Sequence, residues 1–245
     1  MFEFLWDHQF WVGLGQIILI NIVLSGDNAV VIALAARSLP RRQQKLAIFW
    51  GAGAAVVLRI ALTVVAVELL RYPYLKIVGA FLLFWIAIKL LLPEDGNDGE
   101  VESSSNLMAA IKTILIADLV MSLDNVIAVA AAARGNDVLL VLGLAISIPL
   151  VVVGATVLMK LMERWPIIIT IGAGLLGWVA GEMLVTDPVM KEWVDVSAAF
   201  LHWLAPAAGV AVVVVIGKWL AARAEAARRE VADLAAGQNE AKSPQ

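Results

Sequence analysis

Seven long apolar stretches are the feature that most constrains what this chain can fold into. An α-helix needs roughly 20 mostly apolar residues to cross the roughly 30 Å of hydrocarbon in a bilayer. The apolar stretches of this chain cover residues 11–36, 46–70, 73–92, 107–133, 137–160, 165–185 and 198–220. All of them exceed the roughly 9–11 residues of a strand in a membrane β-barrel. The sequence therefore predicts an all-α fold, a polytopic membrane bundle of seven transmembrane helices.

Composition excludes several other classes of protein. Of the 245 residues, 62% are hydrophobic and 16% are charged, whereas soluble domains carry about 45–50% apolar and about 25% charged residues. The chain has no cysteine, so disulfides, thiol catalysis and cysteine-based metal sites are excluded. The net charge is −3 and no basic stripe is present, so we expect no nucleic-acid partner. The expected surroundings of the chain are the lipid bilayer.

Lysine and arginine residues in the connections predict how the spans are oriented. Cytoplasmic connections carry an excess of these residues. If the N-terminus lies outside, the inner face holds eleven of them: Arg37, Arg41, Arg42, Lys45, Lys160, Arg164, Lys218, Arg223, Arg228, Arg229 and Lys242. The outer face then holds four: Arg71, Lys76, Arg134 and Lys191. The sequence therefore predicts an N-terminus outside and a cytoplasmic C-terminus.

The chain contains two similar copies of a three-span unit. Residues 16–37 align with 113–134, and residues 73–92 align with 166–185. The matched positions include polar residues, proline and tryptophan, which apolar composition alone rarely aligns: Ser25/Ser122, Asp27/Asp124, Asn28/Asn125, Arg37/Arg134, Pro73/Pro166 and Trp85/Trp178. Because three is odd, the second copy enters the membrane from the opposite side. This inverted repeat is a recurrent plan of secondary transporters, which bind substrate near the bilayer midplane.

The repeat divides the chain into five parts. A polar, acidic and flexible segment is expected to link the two copies, and the tail after the last span is expected to continue as a solvated helix. The predicted parts are a first repeat (1–92), a cytoplasmic linker (93–106), a second repeat (107–185), an outer loop with the seventh helix (186–220) and a cytoplasmic tail (221–245).

Two aspartates, Asp27 and Asp124, are predicted to lie at the same depth in the membrane. Each lies ten residues before the arginine that marks the end of its span, Arg37 or Arg134, which is about 15 Å along a helix. Half of the hydrocarbon core is also about 15 Å thick. A charged group there costs at least about 2.5–3.5 kcal/mol on insertion scales, and two neighbouring carboxylates repel each other. A bound cation removes both penalties.

The residues beside these acids indicate the kind of cation. Asn28 and Asn125 follow the two aspartates directly and offer amide oxygens. Carboxylate and amide oxygens are hard ligands, suited to Mn²⁺, Mg²⁺ or Ca²⁺. Adjacent residues of an ideal helix do not face the same way, so we expect local unwinding at Gly26-Asp27 and at Leu123-Asp124. The predicted metal ligands are Asp27, Asn28, Asp124 and Asn125, with no prosthetic group.

Asp118 extends the polar face of the second copy. Asn21, Ser25 and Asn28 follow one helical stripe, and the aligned residues of the second copy are Asp118, Ser122 and Asn125. Asp118 is therefore a candidate metal ligand or proton carrier. The alternative for the asparagine and serine residues is hydrogen bonding between helices, a common packing device in membranes.

Two further charged residues lie within the predicted spans. Glu182 follows Gly181 near the outer end of the sixth span and is a candidate metal ligand on the cation path. Arg59 lies near the centre of the second span and needs a carboxylate partner there. We expect Arg59 to form an ion pair that holds the bundle together.

The paired motifs Ser25-Gly26-Asp27-Asn28-Ala29-Val30 and Ser122-Leu123-Asp124-Asn125-Val126 resemble those of the TerC family. The run at 177–183, Gly-Trp-Val-Ala-Gly-Glu-Met, is also similar to that family, and the resemblance covers nearly all of residues 10–220. It implies a bacterial inner-membrane protein related to the lysine-exporter superfamily, with efflux of Mn²⁺ as its role. It also implies that the two Asp-Asn pairs and Glu182 form the metal site.

The leading hypothesis is a divalent-cation exporter that works by alternating access of its two halves, with protons as a possible counter-ion and no enzymatic activity. A passive cation channel is an alternative. A second alternative is an intramembrane aspartyl protease, in which two acids share a proton. The residues alone do not discriminate Mn²⁺ from Ca²⁺ or Mg²⁺, and they identify no accessory protein.

Overall fold

The computed structural model describes residues 8–24, 26–69, 72–92, 100–133 and 136–241, which form nine α-helices and no strand. The prediction of an all-α protein is therefore confirmed for the described residues. The helices are α1 (His8–Leu24), α2 (Gly26–Ala36), α3 (Arg41–Leu69), α4 (Leu75–Lys89), α5 (Glu100–Ala133), α6 (Asp137–Arg164), α7 (Ile167–Thr186), α8 (Pro188–Ser197) and α9 (Leu201–Ala241).

Five helices in the described part of the chain are long and apolar enough to cross a membrane. The qualifying segments are Arg41–Thr63, Asn106–Leu123, Val138–Arg164, Ile167–Thr186 and Leu201–Ala227. Two shorter apolar helical segments, Phe10–Ile20 and Gly26–Ala36, lie in the first predicted span. The polytopic membrane class follows from these helices, and the count of seven spans stays a prediction.

The two Asp-Asn motifs differ in backbone structure. In the first copy, α1 ends at Leu24 and α2 begins at Gly26, so Gly26 and Asp27 lie in the first turn of a new helix. The prediction that the helix unwinds at Gly26 and Asp27 is therefore wrong, because both residues are helical and the helix boundary lies before them. In the second copy α5 runs through Leu123 and Asp124 without interruption, so the unwinding predicted there is wrong. Leucine has a higher helix propensity than glycine, by nearly 1 kcal/mol, so Leu123 favours a continuous helix more than Gly26 does.

Helices also occupy parts of two predicted connections. Helix α5 begins at Glu100, so the end of the segment 93–106 is helical, and residues 93–99 lie outside the described residues. Acidic residues such as Glu100 and Glu102 are favourable at the positive end of a helix dipole. Helix α8 lies in the predicted outer loop and has Pro188 at its first position, where proline is well tolerated. The helical continuation of the last span is confirmed, since α9 runs to Ala241.

Close helix packing positions the interior. Helix α3 packs on α5, α1 and α2 pack on α6, and α4 packs on α7. Helix α9 packs along α7, where a Cβ added to Gly177 would lie 2.5 Å from the carbonyl oxygen of Gly209. Such backbone-to-backbone approach is typical of small residues at membrane helix interfaces. The crossing therefore fixes α7, which carries Glu182, against α9.

Candidate functional site

A cavity of about 340 Å³ lies between α2, α5 and α7, and among the described residues each helix contributes one polar side chain to its lining. These side chains are Asp27 from α2, Asn125 from α5 and Glu182 from α7. The rest of the lining is aliphatic or thioether: Val120, Met121, Ala128, Val179 and Met183. Two carboxylates and one amide therefore converge on a mostly apolar space.

Helical periodicity explains how α5 and α7 present these residues. Met121, Asn125 and Ala128 are spaced by four and three residues on α5, so they share one face. On α7, Val179 lies three residues before Glu182 and shares a face with it in the same way. Glu182 is exposed, so the cavity opens to the surface beside α7.

Asp27 occupies the first turn of α2. The backbone N–H of Asn28 donates a 2.8 Å hydrogen bond to its Oδ1. The positive end of the α2 dipole further favours a carboxylate at this position. Asp27 is half-buried, and the charges of Arg59 and Asp118 both act on its carboxylate. The break in the first span thus places an acid at a helix N-terminus facing a cavity.

Asn28 is a buried polar residue whose side-chain amide is not satisfied. It is 3% exposed, and neither Nδ2 nor Oδ1 has a hydrogen-bond partner among the described residues. A buried polar group without a partner costs about 1–3 kcal/mol. Asn28 directly follows Asp27 in α2, but it is not among the described residues that line the cavity.

Asp118 lies in a buried ion pair next to the cavity. Arg59 Nη2 donates to Asp118 Oδ1 at 2.5 Å, and Arg59 Nε donates to Ser122 Oγ at 3.0 Å. Ser122 Oγ in turn donates to Asp118 Oδ2 at 3.1 Å. Arg59 is 4% exposed and Asp118 is 6% exposed. The expected ion pair of Arg59 is therefore confirmed, and both carboxylate oxygens of Asp118 are engaged away from the cavity lining.

The structure leaves one predicted ligand untested. The backbone of Asp124 is helical within α5, but its side chain lies outside the described residues. Whether the carboxylates of Asp27 and Asp124 face each other therefore stays a prediction. Among the described side chains, no three His, Asp or Glu residues lie close enough together to hold a metal ion.

Sequence reasoning missed the thioethers of the cavity. Met121 and Met183 are buried residues that line it. The available signals were the spacing of four residues from Met121 to Asn125 and the adjacency of Met183 to Glu182. Methionine is so often a core residue that neither signal identifies a binding position by itself.

A second missed residue is Asp187, which is fully buried and caps two helices. Its carboxylate accepts hydrogen bonds from the backbone N–H of Tyr74 at 3.1 Å and of Lys76 at 3.1 Å, both at the start of α4. It also accepts one from the N–H of Val189 in α8 at 3.0 Å. The Asp187-Pro188 pair is a sequence signal for a helix start, but the contact with α4 is not readable from it.

Comparison with known proteins assigns the family. Residues 6–225 match the family described as integral membrane protein TerC family. The uncharacterized membrane protein YjbE of Bacillus subtilis (strain 168) is 44% identical over 181 residues, which cover 74% of this chain and 83% of that protein. The uncharacterized membrane protein YceF of the same organism is 27% identical over 190 residues, which cover 74% of each chain.

A third relative is the UPF0053 inner membrane protein YgdQ of Escherichia coli (strain K12). It is 29% identical over 146 residues, which cover 52% of this chain and 61% of that protein. No solved structure gives a significant match. The match of the family to almost the whole apolar region, together with YjbE, shows that this chain belongs to the TerC family of integral membrane proteins.

Proposed function

We propose that this protein is a secondary transporter that exports a divalent metal cation, Mn²⁺, across the bacterial inner membrane. The observation that carries the proposal is the cavity between three helices, into which Asp27, Asn125 and Glu182 project, beside the unsatisfied amide of Asn28. Mn²⁺ is the cation that the resemblance to the TerC family implies. The relative YgdQ is named an inner membrane protein, which supports the proposed location in the inner membrane.

The donor set supports a hard dication. The carboxylates of Asp27 and Glu182 and the amide oxygens of Asn28 and Asn125 are ligands of the kind that Mn²⁺, Mg²⁺ and Ca²⁺ prefer. Asp124 would add a carboxylate, since it aligns with Asp27 in the second copy of the repeat. Asp118 is engaged with Arg59 and Ser122. In the proposal it therefore orients these two residues and does not bind the ion directly.

The packing of the helices supports the inverted repeat. The repeat equates α1 and α2 with α5, α3 with α6, and α4 with α7. If the two copies are equivalent, the packing of α3 on α5 should have a counterpart in the packing of α6 on α1 and α2. The packing of α4 on α5 should likewise have a counterpart in the packing of α7 on α2. All of these packings occur. Gly79 of α4 faces Val120 of α5, and its aligned residue Gly172 of α7 faces Val30 of α2.

A seven-span arrangement follows from this equivalence when α1 and α2 together form one broken span. Discontinuous helices of this kind surround the substrate sites of many secondary transporters. The proposed orientation has the N-terminus outside and the C-terminus in the cytoplasm, because the basic residues favour it. Rocking of one copy against the other would then expose the cavity to each side in turn.

Transport by purified protein in vesicles tests the proposal. Uptake of Mn²⁺, Ca²⁺ and Mg²⁺ is measured with and without an imposed pH gradient, for the wild type and for Asp27→Asn and Glu182→Gln. We expect the wild type to move Mn²⁺, and each variant to lose at least about tenfold in rate, since changes near a bound metal cost about 10–100-fold. Glu192→Gln, which removes an exposed carboxylate on α8 outside the cavity, is the matched control.

The same assay defines the contrary results. If Asp27→Asn and Glu182→Gln both transport at the rate of the wild type, the cavity is not the metal site. Stimulation of transport by the pH gradient would support protons as the counter-ion. Currents far above the turnover of a transporter would instead identify a passive channel and overturn the proposal.

A further inference from the structure

Two thioether groups share the cavity with the proposed oxygen ligands. Met121 lies one helical turn before Asn125 on α5, and Met183 follows Glu182 on α7. Both methionines are buried, and both line the cavity together with Asp27. Helices α5 and α7 therefore each contribute one thioether residue and one oxygen donor to the cavity lining.

The end of the Met183 side chain is held in place by α4. A Cβ added to Gly79 would lie 2.9 Å from Met183 Cε, so the methyl group packs directly on the glycine. The thioether next to this methyl group is thereby confined between α4 and the cavity. Met121, Met183 and Met159 of α6 all belong to the buried apolar core, but Met159 does not line this cavity.

We infer that Met121 and Met183 make the site selective for transition-metal dications over Ca²⁺ and Mg²⁺, an inference that rests on the proposed transport of a divalent cation. Ca²⁺ takes six to eight oxygen ligands, and Mg²⁺ requires a nearly ideal octahedron of oxygens and dehydrates reluctantly. Thioethers are soft ligands that these hard cations do not use, whereas transition metals accept them more readily.

The apolar part of the wall works in the same direction. Among the described residues that line the cavity, three have polar side chains and the others are aliphatic or thioether. Ca²⁺ would have to complete its shell with water in a mostly apolar space. A transition-metal ion can replace part of that water with sulfur. The carboxylates then supply affinity for any dication, and the methionines supply the discrimination.

The first test measures selectivity in the vesicle assay. Met121→Leu and Met183→Leu keep the volume and apolar character of the side chain and remove the sulfur, a kind of change that cores tolerate well. We expect the ratio of Mn²⁺ to Ca²⁺ transport to fall about tenfold in each variant, in the range known for changes around a metal. Transport of Cd²⁺, a softer probe, should fall further. Met159→Leu, the matched control, should keep the ratio of the wild type.

The second test detects the sulfur directly and does not depend on transport. X-ray absorption of Cd²⁺ bound to the wild-type protein reports the atoms next to the metal. Because the chain contains no cysteine, a sulfur neighbour can come only from methionine. We expect a sulfur neighbour in the wild type, a weaker signal in each leucine variant, and an unchanged signal in Met159→Leu.

The outcomes separate this inference from the proposed function. An all-oxygen shell around the metal, or leucine variants with the wild-type ratio of Mn²⁺ to Ca²⁺ transport, would overturn the role of the methionines. If Asp27→Asn still abolishes Mn²⁺ transport in that case, the proposed function stands alone. A wild-type protein that neither binds nor transports any dication of the panel would overturn both.

Discussion

Removal of one partner from the Arg59–Asp118 pair should destabilise the protein more than removal of both partners. The pair joins α3 to α5, and the two side chains are 4% and 6% exposed. In the variant Asp118→Leu, the buried guanidinium of Arg59 loses the carboxylate of Asp118. In Arg59→Met, the buried carboxylate of Asp118 loses the guanidinium.

The expected loss of unfolding free energy follows from the burial of both charges. Loss of one partner of a buried ion pair costs about 3–5 kcal/mol, because the remaining charge cannot reach water. In the double variant Arg59→Met/Asp118→Leu neither charge of the pair remains, and the losses are the bonds of the buried hydroxyl of Ser122 to both partners and the attraction of Arg59 for Asp27. An unsatisfied buried group costs about 1–3 kcal/mol. The double variant should therefore be more stable than either single variant, with a coupling energy of at least about 3 kcal/mol by the same magnitudes.

Equilibrium unfolding of the four proteins in mixed micelles measures this cycle. Hydrogen bonds between membrane helices contribute on average only about 0.6 kcal/mol in such cycles, so the expected coupling is several times larger than that of an ordinary polar contact. Additive single effects, within about 0.5 kcal/mol, would refute the argument from buried charge. Transport by the double variant gives a separate result: if it is well folded but inactive, the Arg59–Asp118 pair is needed for transport as well as for stability.

Three further changes test other parts of the structure. Asp187→Ala should lower the unfolding free energy by about 1–4 kcal/mol, since it removes the cap of two helices at about 0.5–2 kcal/mol each; a melting temperature equal to that of the wild type would contradict this. Gly177→Ala should destabilise the protein by about 1–3 kcal/mol through overpacking against Gly209, whereas Gly53→Ala, with open space around its Cβ, should be neutral or stabilising in the same melt. Asn28→Leu should keep or raise stability and abolish metal transport, because it replaces an unsatisfied buried amide; unchanged transport would remove Asn28 from the site.

The sequence predicts the apolar helices whose length is set by the thickness of the bilayer. The sixth predicted span, 165–185, is observed as α7 from Ile167 to Thr186, because a fixed hydrocarbon thickness sets the length of an apolar helix. It also predicts contacts that local geometry dictates. Ser122 bonds to Asp118 one turn away on α5, and an arginine in the middle of a span has to find a carboxylate.

The sequence does not predict features that depend on how helices are rotated against each other. Met121 and Met183 line the cavity only because α5 and α7 turn those faces inward, and that rotation depends on close contacts such as the packing of Val120 on Gly79. The two helix starts held by Asp187 lie more than one hundred residues apart along the chain. Even the two copies of one motif differ, since one helix ends at Leu24 and the next begins at Gly26 in the first copy, whereas α5 is continuous through Leu123 in the second.

Two neighbouring groups of buried polar residues have opposite hydrogen-bonding states, and this contrast indicates different roles. Arg59, Asp118 and Ser122 bond to one another, so they stabilise one arrangement of α3 and α5. Asn28 retains a penalty of about 1–3 kcal/mol for its unsatisfied amide, beside a carboxylate that faces a cavity. A group that only held the bundle together would be better replaced by leucine, since the apolar side chain carries no such penalty. The contrast supports the proposed role of Asn28 in binding, whereas the satisfied group supports the helix that presents Asn125 to the cavity.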